Sequence, residues 1–147
     1  MPTTYSTNLK LSLMATGENV NTWGSVTNSN LGTLLEQAIV GAGTVNMPDT
    51  DVTLTINDGA ASTGRAVFLT LTGTLTATRT LTVPTINKNY IIYNNTTGSQ
   101  PVLVKTSAGT GVIITNGAKT IIYVDGTDAT FAISAVGRVY FPQAALS

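Results

Sequence analysis

Two hydrophobic periodicities meet near residue 42. Before it, Leu31, Leu34, Leu35, Ala38 and Ile39 recur at the three-to-four spacing of one helix face, with Ser29 or Asn30 placed to cap the start and Gly41 and Gly43 to close the end. After it the period falls to two. Val52, Leu54 and Ile56 alternate with Thr53 and Thr55, and Val67, Leu69 and Leu71 with Phe68, Thr70 and Thr72. Leu75, Ala77, Leu81 and Val83 share a face with Arg79, while Thr74 to Thr82 line the other. Further strands read at residues 90–93, 102–105, 112–115, 120–124 and 130–134. Turn residues separate them: Asn57-Asp58-Gly59, Thr72-Gly73, Asn94 to Gly98, Ala108-Gly109, Asn116-Gly117 and Asp125-Gly126. Asn116-Gly117 predicts a hairpin, and the alternation over 69–82 reads as a hairpin rather than a repeat unit. The pattern predicts a mainly β fold: a β-sandwich or jelly-roll-like domain over 44–147, with its C-terminal tail, preceded by an extended N-terminal arm and one short α-helix over 1–43.

Composition agrees. The chain of 147 residues holds 28 threonines, whose branched side chains suit a pleated, half-exposed surface. Only 10% of residues are charged and the net charge is zero, so there is no basic patch for nucleic acid or an anionic membrane. A surface poor in Lys and Glu, without net repulsion, suits protein–protein contact. No apolar run approaches the length of a membrane span, and Met1 to Tyr5 lack the basic-then-apolar order of a secretory signal.

Catalytic chemistry has little to work with. Histidine and cysteine are absent, which removes the commonest general base, the best nucleophile and the usual transition-metal ligands. Asp49 with Asp51, and Asp125 with Asp128, read as solvated turn residues, and the latter lacks the ligand spacing of a calcium loop. Gly109-Thr110-Gly111 is not followed by the Lys-Ser/Thr of a phosphate loop. The expectation is a non-enzyme without cofactor or metal.

The stretch from Thr16 to Leu31 is different, with Trp23, several asparagines and two glycines in a segment of little periodicity. Asparagines can fix such an arm by bonding backbone groups, and Trp23 is large enough to anchor a contact. The apolar helix face needs a partner, either the β-domain or the same helix on another subunit.

The residues Gly17-Glu18-Asn19, Thr22-Trp23-Gly24, Thr27-Asn28-Ser29-Asn30-Leu31 and Leu34-Leu35-Glu36-Gln37-Ala38-Ile39 resemble the N-terminal signature of a family of virion structural proteins of tailed bacteriophages. Gly73 to Arg79, Lys105 to Gly111, and Asn116-Gly117 leading to Asp125-Gly126 are similar to that family as well, so the resemblance spans most of residues 5–130. It implies a place in the virion, assembled in the host cytoplasm, and no catalytic residues. A short β-domain with an ordered arm fits a homotrimeric capsid decoration (cement) protein bound to the major capsid protein. The alternative is a tail-fibre or tail adaptor, or a receptor- or carbohydrate-binding module of the tail. The residues expected to make assembly contacts are Trp23, Asn28, Asn30, Leu31, Leu34, Leu35, Ile39, Tyr140 and Phe141. The expected partners are further copies of the chain and other virion proteins, with neither nucleic acid nor membrane.

Overall fold

The computed structural model describes residues 3–133. The chain opens with a two-stranded antiparallel ribbon, β1 (Thr4–Tyr5) and β2 (Ser12–Leu13). Asn19 and Asn21 then adopt positive φ, a conformation asparagine tolerates better than most residues. This turn launches helix α1 (Trp23–Ser29), with the N–H groups of Thr22 and Trp23 donating to the Asn19 carbonyl. The helix thus begins well before the capping residues expected from sequence, and part of the expected irregular arm is helical. It continues without a break through a π-helical segment (Asn30–Leu35) into α2 (Glu36–Val40). Gly41 ends it in an extended conformation rather than a left-handed one. A Cβ there would lie 2.4 Å from the Gln37 carbonyl oxygen, so close approach is what requires glycine.

Nine strands follow: β3 (Ala42–Asn46), β4 (Val52–Thr53), β5 (Phe68–Thr72), β6 (Arg79–Thr82), β7 (Asn87–Asn94), β8 (Val102–Lys105), β9 (Val112–Ile114), β10 (Lys119–Asp125) and β11 (Ala129–Phe131). They form a five-stranded sheet in the order β11-β10-β7-β5-β3 and a four-stranded sheet in the order β4-β6-β8-β9. One hydrophobic cluster joins the two, with Leu69, Leu71, Tyr90, Ile92 and Ile122 from the first sheet meeting Leu81, Val102, Val104 and Ile114 from the second. The fold is mainly β and sandwich-like, as the alternation predicts.

The connectivity is a different matter. β3, β5 and β7 pair in parallel in one sheet, and β4, β6 and β8 do so in the other. The chain therefore coils, visiting the two sheets in turn. From the second coil to the third, Phe68 pairs with Ile91, Thr74 with Thr97 and Arg79 with Val102, always 23 positions on. Residues 69–82 are not a hairpin, because β5 and β6 lie in different sheets. Gly73 turns the corner between them at φ +115°, where a Cβ would fall 2.2 Å from the Met47 carbonyl oxygen of the preceding coil. Asn116-Gly117 also joins strands of different sheets, β9 to β10, so the hairpin expected there is absent. Alternation reports which face is buried, and a turn residue reports a change of direction. Neither names the pairing partner.

Antiparallel strands finish the coil: β9 folds back on β8, and β10 with β11 extends the other sheet from β7. Asp128 ties these turns together by accepting from the Thr110 N–H and hydroxyl and from the N–H groups of Gly111 and Ala129.

Candidate functional site

The N-terminal ribbon and helix meet the sandwich through polar bonds. Arg65, fully buried just before β5, donates from Nε to the Leu9 carbonyl (2.9 Å) and from its other nitrogens to the carbonyls of Ala60 (2.6 Å) and Asn57 (2.7 Å) and to Gln37 Oε1 (3.4 Å). No carboxylate stands within ion-pair distance of it among the described residues. One guanidinium therefore holds arm, loop and helix at one end of the sandwich, using its five fixed donors on carbonyls in place of a counter-ion. Gly41 adds two bonds, its carbonyl accepting from the N–H groups of Val67 and Phe68.

Asn30 is a second clasp. Its side chain donates to the Ser12 carbonyl (2.8 Å) and accepts from the Ser12 N–H (3.0 Å), which fixes the ribbon against the helix. Of the residues expected at assembly contacts, Asn30 is thus spent on the chain's own fold, and Leu34 is buried completely. Leu35 is half-buried and Asn28 exposed. Trp23, Leu31 and Ile39 are 64%, 59% and 63% exposed. They share that exposure with Val20 and Val40, which the helical spacing had not singled out. The π-helical segment explains why residues spaced for one α-helical face do not share a buried one: it widens the turn, so side chains beyond it are rotated relative to those before. Tyr140 and Phe141 lie outside the described residues.

Between the helix and β7–β10 runs a groove of about 480 Å³, lined by Leu9, Ala38, Ile39, Val67 and Tyr123 together with Asn8, Asn87, Lys88 and Asn89. Lys88 is only 7% exposed. Its Nζ sits 4.8 Å from the centre of the Tyr90 ring, and no carboxylate lies within ion-pair distance among the described residues. Burial, reinforced by the charge of Arg65, pushes its ammonium down to about 8. Tyr90 donates its hydroxyl to the Gly64 carbonyl (2.7 Å), and burial pushes that phenol well above its ordinary range. Neither Arg65 nor Lys88 was foreseen as a site residue.

The acidic turns hold protein groups. Asp49 accepts from Arg79 at 3.0 Å and from the Thr76 N–H and hydroxyl, and these bonds hold its carboxyl at about 2. Asp128 is held at about 2 by its bonds to Thr110 first. No cluster of three metal-ligating side chains occurs among the described residues. Asn94, which matches a glycosylation pattern in sequence, is fully buried and donates to the carbonyls of Gln100 and Ile114.

No family model, curated protein or solved structure matches the chain.

Proposed function

We propose that the chain is a structural subunit of a tailed-phage virion, a homotrimeric capsid decoration protein that strengthens the head shell. The observation that carries this reading is the helix from Trp23 to Val40, whose only buried residue is Leu34. Helices in proteins draw most of their stability from packing an apolar face, and this one leaves Trp23, Leu31, Ile39 and Val40 to solvent. Apolar anchors of this kind, set among hydroxyl and amide groups with Glu36 as the one charge on the helix, resemble the core and rim of a protein contact. The resemblance of Gly17 to Ile39 to virion proteins supplies the setting, and the lack of histidine and cysteine favours an architectural role over a catalytic one.

The test is rebinding to particles stripped of the protein. Wild type should bind heads and restore resistance to heat or low salt. Trp23→Ala should bind at least roughly tenfold more weakly while its circular dichroism and unfolding midpoint stay unchanged. Equal binding by the two would sink the role given to Trp23. Binding to tails with none to heads would move the subunit to the tail, as an adaptor or fibre component.

A further inference from the structure

We propose that the groove between the helix and the five-stranded sheet receives a second copy of this chain, and that Lys88 in the groove pairs with Glu36 on the helix of that copy. The inference deepens the assembly reading and rests on it. Lys88 is more than nine-tenths buried and lines the groove, and no hydrogen-bond acceptor in the described residues meets its ammonium. Arg65, the cation that repels it, is already occupied by three carbonyls and Gln37. The Lys88 stem is buried while its ammonium, 4.8 Å from the centre of the Tyr90 ring, opens into the groove, where partial desolvation leaves it to gain from an opposite charge. Leu9, Ala38, Ile39 and Val67 give the groove apolar walls, and Asn8, Asn87 and Asn89 set amide groups among them. Its complement is a carboxylate set among apolar side chains.

Among the described residues, one surface fits that description. Glu18 is taken by Thr3 and Ala15, Asp49 by Arg79 and Thr76, Asp51 by the Thr80 N–H, and Asp125 and Asp128 by their turns. Glu36 and Asp58 have no partner among the described residues, and both are exposed. Asp58 lies in a polar loop. Glu36 lies four residues before Val40, so the two share one helix face, and Val40 is more than 60% exposed, whereas Ile39 lines the chain's own groove. Each copy thus offers one acid beside an exposed apolar residue on its helix and, in its groove, one cation without a counter-charge among the described residues. When every copy gives one contact and receives one, the association can close into a ring.

Charge reversal on the full-length chain tests this, read by size-exclusion chromatography with light scattering at neutral pH and low salt. Wild type should associate. Glu36→Lys and Lys88→Glu should each shift it to monomer, and the double variant should restore association. Lys88→Met, which keeps the apolar stem, should weaken association roughly tenfold or more without unfolding the protein. Should Lys88→Glu fail to fold, Glu36→Lys and Lys88→Met decide the matter, since Glu36 is at the surface. Association that survives both would overturn the pairing and leave the assembly reading intact. A wild-type monomer at every concentration would overturn self-docking, and Trp23-dependent binding to particles would then still hold on its own. If particle binding and self-association both fail, the assembly reading falls with the inference.

Discussion

The sandwich and the N-terminal unit solve opposite problems. The sandwich buries a continuous cluster of seventeen hydrophobic residues, and the large ones it leaves exposed among the described residues, Ile113, Ile121, Tyr123, Phe131 and Ile133, all lie from β9 onward. The helix buries Leu34, which lies outside that cluster, and is otherwise held by Arg65, Gln37, Asn30 and Gly41 through polar bonds. One part is stabilised by what it removes from water. The other is fixed in position while its apolar groups stay available. Polar anchoring at the back of an element is a way to keep its front sticky without letting it collapse onto its own domain.

The sharpest way to break this comparison is to truncate one leucine in each part. Leu71→Ala, in the core of β5, should cost about 3–4 kcal/mol of unfolding free energy. Leu31→Ala, on the helix, should change the isolated protein by no more than about 0.5 kcal/mol. Similar losses in denaturant titrations would mean that the helix belongs to the core after all. Next in size is Arg65→Met, which strands the carbonyls of Leu9, Asn57 and Ala60. It should cost about 2–3 kcal/mol, and the peptide bonds of the arm should become the first sites of limited proteolysis.

Lys88→Met should act in the other direction. The folded-state pKa of Lys88 is lowered to about 8 from 10.5, so the folded chain binds fewer protons than the unfolded one between those values. The cost of keeping Lys88 charged is fully present below about pH 8 and fades as pH rises toward 10.5. Allowing for water in the groove, the variant should be about 1–2 kcal/mol more stable at pH 7. It should also lack the wild type's gain in stability above pH 8. A flat wild-type profile across that window would show that Lys88 carries no such cost. The smallest effect is expected at the turns. Asp49 and Asp128 have depressed pKa values of about 2, so their contribution is present above the ordinary carboxylate range and lost as pH falls through about 2. Asp128→Asn should lower the thermal midpoint by a few degrees at neutral pH and leave less to lose on acidification.

Much of the sandwich was legible because burial follows side-chain parity. Leu69 and Leu71 are inside and Thr70 and Thr72 are not, and Leu81 with Val83 points inward as their alternation with Thr80 and Thr82 predicts. Parity also held the clue to Lys88. It is in step with Tyr90, Ile92 and Asn94, all buried, but the strand read as Tyr90–Tyr93 begins at Asn87, one residue before it. Arg65 carries no local signal, because its partners lie as far as 56 residues away in sequence. The start of the helix was hidden for a related reason. Asn19 and Asn21 form a left-handed turn that nucleates it, and the residues Trp23 to Ser29 show no apolar stripe because none of them is buried. A pattern that depends on burial cannot announce an element whose burial is left to something else.

Successive coils stack although their lengths differ: Phe68 to Ile91 and Arg79 to Val102 are 23 residues apart, whereas Ala42 to Phe68 spans 26 and Val52 to Leu81 spans 29. Removing or duplicating one full coil changes the stack by a single layer, about 4.8 Å, and every side chain on either side of the edit keeps its face. An edit confined to a connection, such as the long one between β4 and β5, leaves the strand register on either side unchanged. Gene duplication could therefore lengthen or shorten the body in fixed increments while the N-terminal unit, and whatever it grips, stays the same.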